Sequence, residues 1–120
     1  MADRMLFISW TFPVRGAEER AVEAFNEAIG LYGRMQQDGR IESFDAALME
    51  PNNDLGGFIL LRGTAEQIDG VRSDEDFLRL TIKAQLSVEG ISHIVGYVNE
   101  GVAQIMGMFQ EAVAEIPQHG

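Results

Sequence analysis

Met5-Leu6-Phe7-Ile8-Ser9-Trp10-Thr11-Phe12 has the alternating pattern of a β-strand, and the prediction of the fold begins with it. Leu6, Ile8 and Phe12 share one parity along it, and Met5 and Phe7 share the other. Because a β-strand sends successive side chains to opposite faces of its sheet, the pattern predicts a first strand with apolar residues on both faces. The strand is predicted to end at Phe12, since the proline that follows cannot donate to a sheet ladder.

After this strand the apolar residues recur every three or four positions, which is the spacing of a helix. Residues 17–36 predict a helix whose apolar stripe is formed by Val22, Phe25, Ile29 and Tyr32. Two further strands are predicted at residues 40–50 and 57–63, separated by a turn rich in asparagine. The short connection between them is typical of an antiparallel hairpin.

The carboxyl-terminal half predicts two more helical regions around a fourth strand. Thr64 begins a capping box that opens a short helical turn, which Gly70 is expected to interrupt, and Ser73 is expected to cap the next helix. Residues 90–98 predict the fourth strand. Asn99 is expected to cap a last helix with a broad apolar stripe: Val102, Ile105, Met106, Phe109, Ala112, Val113 and Ile116. That stripe either covers the edge of the sheet or reaches a second subunit.

The order of these elements is β-α-β-β-α-β followed by an extra helix, which is the order of the ferredoxin-like fold. It predicts an α+β domain in which a four-stranded antiparallel sheet has its helices on one face. The third strand is apolar on both parities, so the other face of the sheet is expected to be apolar as well. An exposed apolar face of this size predicts a homodimer formed through the sheet.

Length and composition set the class of protein. The 120 residues predict one domain over residues 1–116 and a disordered tail over 117–120. The net charge of −10 argues against nucleic acid and anionic membranes as partners. The chain has no cysteine, which excludes disulfides and thiolate metal sites and leads us to expect a cytoplasmic location.

The chain resembles the dimeric α+β barrel group of ferredoxin-like proteins, which includes antibiotic-biosynthesis-type monooxygenases, muconolactone isomerases and stress-responsive barrel proteins. The resemblance extends over nearly the whole chain and rests on Gly56-Gly57-Phe58-Ile59-Leu60-Leu61-Arg62-Gly63-Thr64-Ala65-Glu66-Gln67-Ile68. In this stretch an apolar strand leads directly into a threonine-capped turn. The resemblance implies two sheets packed face to face across a two-fold axis, with a pocket in each subunit.

Two side chains are candidates for catalysis. His93 is the only histidine within a predicted element, and imidazole suits acid–base chemistry near neutral pH. Its alternative role is that of a hydrogen-bonded histidine in the sheet, at the interface of the barrel. Arg62 ends an apolar strand, where a guanidinium could hold a carboxylate or an enolate. Its alternative role is an ion pair with Asp45 on the neighbouring strand.

Three further side chains are candidates for ligand binding. Trp10 is the only tryptophan, and aromatic walls suit flat substrates, although a core position is the alternative. Tyr97 has the same two interpretations. Asp45 lies within a predicted strand, where an acid is disfavoured, so it is an exposed edge residue, a partner of Arg62 or a pocket acid. Neither histidine has a second ligand at metal-binding spacing, and we therefore expect no metal site and no bound cofactor.

Two functions fit these observations. The first is a cofactor-independent monooxygenase or isomerase that acts on a small apolar or aromatic molecule. The second is a non-catalytic module that binds a small ligand or serves in assembly. Convergence of His93, Arg62 and one of the three ligand-binding candidates on one cavity would favour the enzyme, whereas an apolar or absent cavity would favour the non-catalytic module.

Overall fold

The computed structural model of the protein describes residues 1–117 and has the predicted order of elements. Its elements are β1 (Arg4–Trp10), α1 (Glu18–Gln37), β2 (Ser43–Leu48), β3 (Gly57–Gly63), α2 (Ala65–Ser73), α3 (Glu75–Ser87), β4 (Ser92–Tyr97) and α4 (Glu100–Glu115). Most of the predicted tail lies outside the described residues, and the boundary between domain and tail stays a prediction.

The four strands form one antiparallel sheet in the order β2-β3-β1-β4. This is the strand order of the ferredoxin-like fold, in which the first and third strands lie at the centre. Both central strands are the most apolar of the four, because each is flanked by neighbours on two sides. The predicted fold class is therefore confirmed.

The register assigns every strand residue to one of two faces. Leu6 lies opposite Leu61 and Val95, whereas the next residue, Phe7, lies opposite Leu60 and Ile94. The face that contains Leu6 packs against α1, α2 and α3 and forms the core, and we call it the covered face. The face that contains Phe7 has no helix of the core against it, and we call it the open face.

Three of the four strands were predicted to be longer than they are, and hydrogen bonds explain where β1 and β2 stop. The backbone N–H groups of Arg40 and Ile41 donate to the carbonyl of Met35, at the end of α1, so these two residues belong to the helix terminus and not to β2. Thr11 and Phe12 leave the ladder of β1 and instead exchange hydrogen bonds with Glu89. The fourth strand is similarly shorter than predicted and spans Ser92–Tyr97.

The predicted capping box is present, but the predictions for Gly70 and Ser73 were wrong. Thr64 and Gln67 form both hydrogen bonds of the box. The helix that they open continues through Gly70 to Ser73, whose hydroxyl donates to carbonyls one turn earlier. Asp74 therefore replaces Ser73 as the cap of α3.

Asn99 does not cap α4 with its side chain. Its amide instead donates to the carbonyl of Ala2, 3.0 Å away, and its backbone adopts a positive φ of 51°. Asparagine tolerates this left-handed conformation better than most residues. It thereby joins the end of the sheet to the amino terminus.

The predicted stripe of α1 differs from the structure at Val22, and the stripe of α4 is left exposed. Val22 is 61% exposed, because α1 packs through Ala24, Ala28 and Leu31. The last helix, α4, packs mainly against β4, and its large apolar side chains are exposed, with Phe109 at 63%. The stripe of α4 thus does not form part of the core.

Within residues 1–117, none of the helices is both long enough and apolar enough to cross a membrane. The cytoplasmic location expected from the lack of cysteine stays a prediction.

Candidate functional site

A cavity of about 730 Å³ lies between the covered face of the sheet and helices α1 and α3. Its inner wall includes Ile8, Ile59 and Leu80, which belong to the core. Its mouth lies where β1 and β2 end and β3 and β4 begin, since the loops at these strand ends also line it. A cavity of this size is typical of small-molecule sites.

Trp10 forms one wall of the cavity. Its ring meets that of Phe25 edge to face, with 5.9 Å between the centroids. The indole lies directly over Gly57, where a Cβ would come within 2.7 Å of Trp10 Cζ2. The glycine is therefore required for the tryptophan to lie flat against β3, which explains one glycine of the stretch on which the family resemblance rests.

His93 lies on the covered face and lines the same cavity. It is half-buried, with its ring 5.3 Å from that of Phe77 on α3. Burial lowers the pKa of His93, and the positive charge of Arg72 lowers it further. The imidazole is therefore neutral at pH 7 and can accept a proton.

Tyr32 faces this cavity from α1. Its side chain is only 3% exposed, its ring contacts Phe44 edge to face, and burial raises the pKa of its hydroxyl. Among residues 1–117 no group forms a hydrogen bond with that hydroxyl. A neutral phenol of this kind can donate a hydrogen bond to a ligand in the cavity.

The mouth of the cavity is acidic. Glu18, at the first residue of α1, and Glu50, in the loop between β2 and β3, both line it and are exposed. Asn52 orders this loop: its side-chain amide donates to the carbonyls of Glu50 and Leu55, and its side-chain oxygen accepts from the N–H groups of Asp54 and Leu55. The rim is therefore held in one conformation.

Arg62 and Asp45, two of the predicted site residues, lie on the open face, away from His93. Arg62 Nη1 is 2.7 Å from Asp45 Oδ2, which confirms the ion pair considered from the sequence. Convergence of Arg62 with His93 within one subunit is therefore not observed. The two side chains lie on opposite faces because successive residues of a strand alternate between the faces of the sheet.

Tyr97 lies on the covered face but does not line the cavity. It is at the opposite end of β4 from the mouth, and the guanidinium of Arg4 lies 4.5 Å from the centre of its ring. The cavity thus brings together Trp10 and His93. Sequence reasoning did not single out Glu18 or Glu50, because their approach to the cavity depends on how the loops close.

Among residues 1–117, no group of three or more histidine, aspartate or glutamate side chains is placed to hold a metal ion. The polar groups of the cavity are instead suited to hydrogen bonding and to proton transfer.

Comparison with known proteins gave matches among solved structures alone. No family model matches the chain, and no curated protein matches it. A dimeric ferredoxin-like protein of unknown function from Jannaschia sp. CCS1 is 14% identical with a TM-score of 0.60, over 80% of this chain and 97% of that one.

Two of the similar structures are of proteins whose names describe oxygenases. SnoaB from Streptomyces nogalater, a cofactor-independent oxygenase, is 12% identical with a TM-score of 0.54, over 82% of this chain and 95% of that one. A protein from Chloroflexus aurantiacus J-10-fl, named for the antibiotic biosynthesis monooxygenases, is 9% identical with a TM-score of 0.54, over 98% of this chain and 97% of that one. At these identities the likeness concerns the fold, and the fold is the ferredoxin-like one of the group that the sequence resembles.

Proposed function

We propose that the protein is a cofactor-independent enzyme that binds a flat, largely apolar molecule in this cavity and removes a proton from it with His93. The observation behind the proposal is the combination, in one aromatic cavity, of a neutral imidazole and a tyrosine hydroxyl that has no partner among residues 1–117. A general base of this kind accelerates reactions by about 10²–10⁴-fold.

The chemistry follows from the two groups. His93 takes a proton from a CH₂ group that is next to a carbonyl or conjugated with one through an aromatic ring, and Tyr32 donates a hydrogen bond to the oxygen of the enolate that forms. Return of the proton to another carbon completes an isomerisation. In the presence of O₂, the enolate is oxidised: the CH₂ group becomes C=O, and the second oxygen atom leaves as water. The name of SnoaB, a cofactor-independent oxygenase of similar fold, supports the second course.

We also propose that two copies of the chain form a homodimer through the open face. Phe7, Phe58, Leu60 and Ile94 make this face apolar, and the Jannaschia protein of the same fold is dimeric. A second copy would remove this apolar surface from water, which stabilises the assembly by about 25 cal/mol per Å². The exposed stripe of α4, which includes Met106 and Phe109, would extend the contact. Arg62 and Asp45 then belong to the dimer interface.

Oxygen uptake with anthrone tests the enzymatic proposal, because anthrone is a flat tricyclic ketone with an acidic methylene group. We expect anthraquinone and water as products, with turnover that falls as the pH decreases below the pKa of His93. His93→Gln should lower turnover by about 10²–10⁴-fold without loss of folding. The other histidine of the chain provides the matched control, His119→Gln, which should retain full turnover.

Equal loss in the two histidine variants would contradict a role for His93. Binding of anthrone without any product or proton exchange at its methylene group would instead support a non-catalytic binding module.

A further inference from the structure

We propose, on the basis of the proposed function, that the substrate is a neutral or amine-bearing aromatic molecule and that the cavity excludes carboxylates. The described lining contains two charged side chains, Glu18 and Glu50, and both are acids. Arg15 and Arg20 are close to Glu18 in the sequence but do not line the cavity. The mouth therefore presents negative charge to any entering molecule.

The Glu18 carboxylate is held at the rim, and the backbone of Glu50 is fixed there. One oxygen of Glu18 accepts a hydrogen bond from the N–H of Gly16 at 3.1 Å, and this bond lowers the pKa of the Glu18 carboxyl. The side-chain amide of Asn52 donates to the backbone carbonyl oxygen of Glu50, 2.9 Å away. Both acids therefore lie at the mouth of the cavity.

The interior offers nothing that would neutralise a ligand anion. The lining has no lysine or arginine within residues 1–117, His93 is neutral at pH 7, and Tyr32 is a neutral donor. Transfer of a carboxylate from water into such a site is costly, since the charge would be neither paired nor hydrated. The positive charge of Arg62 is not available, because it lies on the open face and pairs with Asp45.

An amine-bearing ligand fits both ends of the cavity. Its aromatic rings would lie against Trp10 and Phe25, and its ammonium group would lie at the mouth beside Glu18 and Glu50. A neutral oxygen or nitrogen of the ligand would accept the hydrogen bond of Tyr32. The arrangement therefore selects the substrate by charge at the mouth and by shape inside.

Calorimetric titration with three tricyclic probes of the same size tests this inference. At pH 7 acridine is neutral, 9-(aminomethyl)acridine is a cation through its ammonium group, with a neutral ring nitrogen, and acridine-9-carboxylate is an anion. We expect 9-(aminomethyl)acridine to bind about 10-fold more tightly than acridine at low salt, and the carboxylate to bind at least about 10-fold more weakly. The difference should shrink as salt is added.

The double variant Glu18→Gln/Glu50→Gln should reduce the ratio of cation to anion affinity by about 10-fold or more, with acridine binding unchanged. The matched control is Glu66→Gln/Asp69→Asn, which removes the same net charge from exposed positions on α2, outside the cavity lining. It should leave the ratio nearly unchanged. An equal effect of the two double variants would overturn the inference, because the preference would then come from the total charge of the chain.

Two further outcomes separate this inference from the function on which it rests. If acridine binds and all three probes have the same affinity, the charge selection is overturned and the binding cavity stands. If acridine itself does not bind, the proposed function is overturned, and the charge selection with it.

Discussion

The two faces of the sheet have similar apolar content but different surroundings. On β1, Leu6 is fully buried against the helices, whereas its neighbour Phe7 is partly exposed and meets Phe58 with 5.3 Å between the ring centroids. The covered face contains a cavity lined by a neutral histidine and by Tyr32. The open face contains the Arg62–Asp45 ion pair among apolar side chains.

This difference shows that strand parity separates two tasks within one sheet. A residue on the covered face can contribute to the stability of a subunit and to the ligand cavity. A residue on the open face can contribute to assembly, because burial there requires a second copy. Substitutions at adjacent positions of one strand should therefore have different consequences.

The largest expected effect is on the covered face. Leu61 is fully buried, and Leu61→Ala should lower the free energy of unfolding by about 2–5 kcal/mol, since it removes buried methyl groups and leaves a void. Leu60→Ala, on the open face of the same strand, is the matched control and should cost less in the monomer. Urea denaturation at several protein concentrations measures both. A larger loss for Leu60→Ala at every concentration would contradict the assignment of the faces.

The next effect concerns assembly. Phe7→Asp places a charge at the centre of the open face and should raise the dimer dissociation constant at least about 100-fold, because the carboxylate would be buried without a partner. Sedimentation velocity measures this constant. Leu78→Asp, at an exposed position on the outside of α3, should leave the dimer intact. A wild-type protein that is monomeric at micromolar concentration would refute the proposed dimer.

A smaller effect is expected in the cavity. Tyr32→Phe removes the hydroxyl without changing the ring, and should weaken acridine binding by about 2–10-fold, the worth of one hydrogen bond. Folding should be nearly unchanged, because that hydroxyl forms no hydrogen bond among the described residues. Calorimetric titration and urea denaturation of the same sample measure the two quantities. Unchanged affinity would remove Tyr32 from the proposed site.

The smallest effect is expected at the ion pair of the open face. Asp45 is 63% exposed in its pair with Arg62, so solvent screens the interaction. Asp45→Asn should change the unfolding free energy of the monomer by less than about 1 kcal/mol. Denaturation at a protein concentration below the dimer dissociation constant checks this. A loss above about 2 kcal/mol would mean that the pair is a main support of the subunit.

Much of the fold could be predicted from the sequence because the spacing at which apolar residues recur distinguishes strands from helices. The capping box at Thr64 and the bounds of β3 followed from local chemistry and are confirmed. The ends of β1 and β2 could not be predicted, since they depend on hydrogen bonds to Glu89 and Met35, which are distant in the sequence or belong to a helix end.

The site was predictable only in part, for a related reason. Parity correctly grouped His93 with Val95 and Tyr97 on one face, but nothing in the sequence states whether that face is covered by helices. The sequence therefore allowed Arg62 and His93 to line one cavity, whereas in the structure they lie on opposite faces of the sheet. Roles for the five candidate residues stay predictions until ligand binding is measured.

An NMR titration of the wild-type protein with acridine, followed on side-chain signals, tests directly whether the covered face binds the ligand. We expect the shifts to concentrate on the indole N–H of Trp10 and on the ring signals of Tyr32 and His93, while the methyl groups of Leu60 and the side chain of Arg62 do not move. Shifts confined to the open face, with the Trp10 indole unchanged, would contradict ligand binding on the covered face.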